Sequence, residues 1–138
     1  MSPSPDRPLT DRDYRALAQF RHALRVFLRF SEDAARDAGL TPAQHQLLLA
    51  VRGNPDGPPS LSEVADRLQL RRHSATELVQ RASEAGLVSV VTDSDDRRRR
   101  RITVTPAGLE HLEQLSALHR RELRRFRTEM LDVLDELD

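Results

Sequence analysis

Apolar residues recur at helical spacing along most of this chain, and in one short region they alternate instead. The first eight residues, MSPSPDRP, hold three prolines and no periodicity, so residues 1–9 are expected to be a disordered arm. A helix over about 10–38 then begins at Thr10, a suitable N-cap with Asp13 at the third helical position. Leu9 and Tyr14 stand where a hydrophobic staple would be, and Gly39 supplies the stop. Leu17, Phe20, Leu24, Phe27 and Leu28 give this helix a wider apolar face than one monomer's core needs. Thr41, Pro42 and Gln44 open a second, short helix that ends at Gly53, before the loop GNPDGPP. Ser60 and Glu63 form a third capping box, starting a helix of about Leu61–Leu68 with Leu61, Val64, Ala65 and Leu68 inward. A turn at Gln69–Leu70 leads to a fourth helix, about Arg72–Ala85, which buries Ala75, Leu78, Val79 and Ala82 and closes at Gly86. The runs LVSVVT and RITVT suit an antiparallel pair around a polar loop, Asp93–Arg100. Thr105 and Pro106 open the last helical region, 106–138, where a break is expected near Arg127–Thr128.

This pattern predicts a mainly α protein with a small β-hairpin. A winged helix-turn-helix over 42–105 lies between dimerisation helices at 10–38 and 106–138, all within one domain over 10–138. A chain of 138 residues is large enough for its own core. No apolar run approaches the length of a membrane span, and the N-terminus lacks the apolar core of a secretory signal. The expected location is the cytoplasm, with no membrane partner. The chain has no cysteine, which excludes disulfides, thiol redox sensing and Cys-ligated zinc. All 22 basic residues are arginine, which removes Schiff-base lysines and any P-loop.

Net charge is zero, but its distribution is uneven. Residues 71–101 carry eight arginines against five acids, and five of those arginines are consecutive. Residues 102–138 carry five arginines against eight acids. The positive segment coincides with the expected fourth helix and hairpin. In helix-turn-helix proteins the start of the second helix meets base edges in the major groove. Here that end offers Arg71, Arg72, His73, Ser74 and Thr76, with Gln80 a turn further on. Arginine pairs bidentately with guanine, glutamine pairs with adenine, and threonine can touch a thymine methyl. Glu77 can accept from cytosine or repel phosphate. The loop DSDDRRRR, bounded by strands, becomes a wing in which Arg97 to Arg101 grip the backbone or minor groove. Within it an acid is expected to pair with an arginine and hold the loop's shape.

The element order and the string DSDDRRRRRITVTPAG resemble the winged helix-turn-helix regulators of the MarR family. Asp93, Asp96, Arg97 and Arg98 match that family's wing, and Thr105, Pro106 and Gly108 match its exit. Ser94 replaces a usual proline, and Arg71 stands where a capping serine is common. The resemblance implies a sequence-specific DNA-binding transcriptional regulator, a homodimer joined through its first and last helices on a pseudo-palindromic operator in double-stranded DNA. It implies a repressor, released by a small anionic or phenolic effector near the dimer interface. Carried over by residue, Asp96 pairs with Arg98, and Arg98 reaches the minor groove. The implied wing contacts are Asp96, Arg97, Arg98, Arg99 and Arg100. The expected dimer contacts are Tyr14, Leu17, Leu118, Phe126, Met130, Leu134 and Leu137.

No nucleophile elbow, HExxH or glycine-rich phosphate loop is present, so no enzyme and no cofactor are expected. His111 and His119 are eight apart rather than at chelating spacing, and the five histidines read as surface or packing residues without a metal. Two alternatives remain in view. A winged-helix module binding a protein partner would suit the zero net charge, and a metal-responsive regulator would use the histidines.

Overall fold

The structure, a computed structural model, describes residues 7–92, 95 and 99–137. Five helices and one hairpin follow in order: α1 (Asp11–Asp37), α2 (Pro42–Arg52), α3 (Leu61–Arg67), α4 (Arg72–Glu84), β1 (Val88–Thr92), β2 (Arg100–Val104) and α5 (Pro106–Glu136). The mainly α fold with a winged helix-turn-helix is therefore observed.

The helix starts arise where the side chains dictate. Thr10 and Thr41 each accept from the N3 backbone N–H, and Asp13 and Gln44 return the bond to the N-cap backbone. The bond from the Thr10 backbone also holds the Asp13 carboxyl below the usual carboxylate range. The third box is incomplete. Ser60 Oγ accepts from the Glu63 N–H, but the Glu63 carboxylate accepts from that hydroxyl and turns toward Arg101 instead of the N-cap backbone. The staple expected of Leu9 and Tyr14 does not close over either side chain, since both are exposed.

α1 and α5 pack antiparallel along most of their lengths. Arg12 reaches the Asp135 carbonyl at one end, and His111 bonds the Ala38 carbonyl at the other. The face that α1 buries is not its most apolar one. Ala16, Ala23 and Ala35 lie inside, together with Asp13 and Ser31, whereas Leu17, Phe20 and Leu28 stay exposed. Small side chains let two long helices approach closely, and the large ones are left on the outer side. The expected break near Arg127–Thr128 is absent, because α5 is continuous from Pro106 to Glu136. Nothing after Gly108 interrupts its hydrogen bonding, and the Thr128 hydroxyl donates back to the Arg124 carbonyl at 3.2 Å.

α2 is the central element. Its Leu47 and Leu48 are fully buried among residues of α1, α3, α4, β2 and α5. The hairpin pairs Val88 with Val104 and Val90 with Ile102. Ile102 is buried and its N–H donates to the Pro59 carbonyl, tying β2 to the loop before α3. Gln69, in the turn between α3 and α4, adopts a positive φ of 54° and its amide donates to the Asp66 carbonyl.

Gly108 stands in the first turn of α5, against Leu87, the residue before β1. A Cβ there would press into the Leu87 carbonyl oxygen and the Val104 side chain. Backbone cannot swing aside as a side chain can. Gly108→Ala is therefore expected to destabilise the protein by about 1–3 kcal/mol, read as a lower urea midpoint at unchanged slope. An unchanged midpoint would show that the contact is not tight.

Candidate nucleic-acid interface and adjoining cleft

α4 presents two unlike faces. Ala75, Val79 and Ala82 are buried, and Arg72, His73, Ser74, Thr76, Gln80 and Ser83 are exposed. Arg72, His73, Thr76 and Gln80 thus share one open surface, and Ser74 is exposed on another side of the helix. Arg71 is the N-cap and supplies no side-chain hydrogen bond, unlike the caps of α1, α2, α3 and α5. The first N–H groups of α4 are left for whatever meets this end of the helix. Thr76 spends its hydroxyl proton on the Arg72 carbonyl at 2.9 Å, which leaves its methyl as the outward feature. Glu77 lies 3.5 Å from His73 on the same face.

The hairpin rises beside α4. Thr76 and Gln80 face Arg100 across a groove of about 360 Å³, floored by Leu61, Val79 and Ile102. The structure thus brings part of the expected reading helix and one wing arginine to a single groove. Asp93, Ser94, Asp96, Arg97 and Arg98 lie outside the described residues, and so does the expected Asp96–Arg98 pair. Arg99 and Arg100 are exposed. Arg101 departs from the expectation for the run. Its guanidinium turns inward, 3.3 Å from the Glu63 carboxylate and 3.5 Å from the Pro58 carbonyl. Strand alternation puts Arg101 on the face of β2 opposite Arg100 and Ile102, and there Glu63 and Pro58 hold its guanidinium. Arg101 ties β2 to the start of α3 and the loop before it.

The expected dimer residues divide into groups. Tyr14, Leu17, Leu134 and Leu137 are exposed, and antiparallel packing places the start of α1 beside the end of α5. Leu131, which the sequence did not single out, joins this patch at half exposure. Phe126 instead packs within the chain, its ring centroid 5.2 Å from that of Phe27, and Met130 is half-buried. Leu118 lies farther back along α5, beside Phe30.

A second concavity, about 980 Å³, opens between α1, α2 and α5. Phe27, Leu28, Leu49, Leu112 and Leu123 form its apolar walls. Its polar part is a three-helix group of Ser31 from α1, His45 from α2 and His119 from α5. The Leu115 carbonyl can only accept, so His119 Nδ1 carries a hydrogen at 2.9 Å. In the neutral ring Nε2 then accepts from the Ser31 hydroxyl at 3.0 Å. The His45 ring lies 4.8 Å from that of His119, and its buried Nδ1 has no partner. Burial, with the nearby His119 second, lowers the His45 pKa to about 4. Arg52, Arg120, Arg124 and Arg127 surround the cleft, against one carboxylate, Glu113. Sequence spacing could not find this group, because its members come from three helices. Among the described residues, no group of three histidines or carboxylates is placed to hold a metal. No helix among them is long and apolar enough to cross a membrane.

Comparison with known proteins agrees with this architecture. The model of the MarR family matches residues 38–99, from the end of α1 into the wing. A candidate transcriptional regulatory protein for the hcr operon of Thauera aromatica is 27% identical over 113 residues, covering 82% of this chain and 67% of that one. AbsC, a MarR-family transcriptional regulator from Streptomyces coelicolor, superposes with a TM-score of 0.73 at 22% identity, over 87% of this chain and 81% of its own. Bordetella bronchiseptica BpsR, whose DNA binding is regulated by 6-hydroxynicotinic acid, superposes with a TM-score of 0.65 at 23% identity, over 83% and 84% of the two chains.

Proposed function

From the premise that this chain belongs to the MarR family of transcriptional regulators through its residues 38–99, we propose that it is a homodimeric repressor. It binds a pseudo-palindromic DNA operator and is released by a small-molecule effector. The observation that carries the DNA reading is the open polar face of α4 set across a groove from Arg100. Arg71, Arg72, His73, Ser74, Thr76 and Gln80 are the residues assigned to the major groove. Arg72 would pair with guanine, Gln80 with adenine, and the Thr76 methyl with thymine. Arg99 and Arg100 are assigned to the backbone beside them, and the uncapped start of α4 suits a phosphate. A zero net charge does not oppose this reading, because residues 71–101 carry eight arginines against five acids while residues 102–138 carry five against eight.

Two copies are supported by the patch at Tyr14, Leu17, Leu131, Leu134 and Leu137, which the described residues leave exposed. Large apolar side chains exposed near one another on two packed helices mark an interaction surface. One recognition helix reads only a few base pairs, and a second copy related by a two-fold axis supplies the other half-site. The effector reading rests on the cleft between α1, α2 and α5, which touches both the pairing helices and the central helix of the DNA-binding unit. The BpsR precedent, an aromatic acid acting on DNA binding, is consistent with it.

The test is a gel shift on the DNA upstream of the protein's own coding sequence. Arg72→Ala is expected to cost about 1–3 kcal/mol and to relax preference at one base position. Arg100→Ala is expected to weaken binding evenly across sequences and to reduce the log–log salt slope by about 1. If neither change alters binding, α4 and the wing are not the DNA surface.

A further inference from the structure

We propose that the outer face of α5 pairs with the same face of a second copy, antiparallel and centred on Thr128, so that Arg121 meets the partner's Asp135 and Arg124 meets the partner's Asp132. This pairing rests on the two-copy reading above and gives it an orientation, a register and an ionic code.

α5 carries its charges in two blocks. Residues 120–127 hold five arginines and one acid, and residues 129–136 hold four acids and no base. That order works against a helix standing alone. The C-terminal end of a helix bears partial negative charge and favours cations, yet the last turn of α5 has no basic residue. The cation that α1 brings to this end, Arg12, reaches the Asp135 carbonyl and makes no ion pair among the described residues. Within α5 the described ion pair is Arg125 with Glu129, 3.6 Å apart. Arg121, Arg124, Asp132 and Asp135 are exposed and have no ionic partner among the described residues. With Thr128 between them they recur three or four positions apart, so they line one side of the helix. That side is turned away from Leu115, Phe126 and Val133, which pack inward.

The order of the blocks decides the orientation. Arg121 and Asp135 stand equally far from Thr128, and so do Arg124 and Asp132, and Arg120 and Glu136. A parallel neighbour in register would set arginine beside arginine. An antiparallel copy, related by a two-fold axis at Thr128, sets arginine beside acid, and every contact occurs twice. It also brings the partner's arginines to the acidic end of α5, where the helix dipole favours them. Thr128 suits the crossing, because its hydroxyl is bonded to the Arg124 carbonyl and a small side chain lets two helices approach. Leu131 lies about one turn further along the same side, so the pairing runs into the exposed apolar patch. Exposed ion pairs add little affinity singly. Their effect falls on the choice of neighbour, because a wrong copy or a slipped register opposes like charges.

The experiment is sedimentation equilibrium of the full-length protein in two charge-reversed forms. One carries Arg121→Glu with Arg124→Glu, which makes the face wholly acidic. The other carries Asp132→Arg with Asp135→Arg, which makes it wholly basic. Each form alone should self-associate at least about 10²-fold more weakly than the wild type, at unchanged helical content. An equal mixture should regain a dimer of near wild-type affinity, since each acid on one copy then faces an arginine on the other. The basic form carries cations at the C-terminal end of α5, where they favour the helix, so its dissociation would not reflect a weakened protomer. Wild-type self-association should also weaken as salt rises from roughly 0.05 M to 0.5 M, which decides the matter if a variant does not fold.

Two reversed forms that stay dimeric would overturn the pairing and leave the two-copy reading standing. That is also the outcome if the arginines serve a nucleic acid instead, because neither reversal would then move self-association. Monomers that do not combine when mixed would overturn it as well, and so would wild-type association indifferent to salt. A wild-type protein that remains monomeric throughout would remove the two-copy reading itself.

Discussion

Leu131→Glu and Leu134→Glu together are expected to convert the protein to a folded monomer and to lower its operator affinity by roughly 10²–10⁴-fold. Both side chains are at least half exposed in the single chain, so each change costs the protomer little. Their effect falls on association. Leu131 and Leu134 lie one turn apart near the end of α5, next to Tyr14 and Leu17 at the start of α1. In a symmetric dimer each substitution occurs twice around one axis, so two changes place four carboxylates in an apolar interface. Charges buried without partners there outweigh the gain from the remaining apolar contact. The loss of DNA affinity follows from geometry rather than from damage to α4. A monomer places one recognition helix and pays separately for the second half-site, whereas the dimer delivers both at once. Light scattering would give the mass, and a gel shift the affinity. A variant that stays dimeric and keeps operator binding would remove this patch from the interface.

The same helices show why part of the molecule was legible in sequence and part was not. Caps are local, and so Thr10, Thr41 and Thr105 announce α1, α2 and α5 within a residue or so. The inner stripe of α4, Ala75, Val79 and Ala82, follows from helical period alone. α1 does not yield to the same argument. Its large apolar residues outnumber those it buries, because the chain packs α1 against α5 through alanines and leaves Leu17 and Phe20 outside. Periodicity reports that a face is apolar and cannot say whether the chain itself or a second copy covers it. The arginine run fails for a related reason. Five like residues look equivalent in sequence, yet strand alternation puts Arg100 and Arg101 on opposite faces and the Glu63 carboxylate takes up Arg101. The Ser31–His119 bond spans 88 positions, and no spacing rule reaches across it. His45 within QHQLLLAV is one of five histidines for which sequence allows a surface or a packing role; burial and the nearby His119, both products of the tertiary fold, set its chemistry.

That buried imidazole sets the second large effect, a loss of stability in mild acid. The pKa of His45 falls from an ordinary 6.5 to about 4 on folding, chiefly by burial. Above 6.5 the ring is neutral in both states and contributes no pH dependence. Between 6.5 and about 4 the unfolded chain binds a proton that the folded chain refuses, so stability falls as pH falls through this window. Below about 4 both states are protonated and the term levels off. The whole drop is on the order of 3 kcal/mol, a large part of the roughly 5–15 kcal/mol that holds a domain folded. Asp13 acts in the same direction lower down, since its folded pKa is depressed and its contribution is lost only as the carboxylate protonates. His45→Gln separates the two. It should flatten the urea midpoint between pH 6.5 and 4 and leave the loss at lower pH in place. A wild-type profile already flat between 6.5 and 4 would mean that a charged His45 finds a partner in the folded chain, and the argument from its unpaired Nδ1 would then fail.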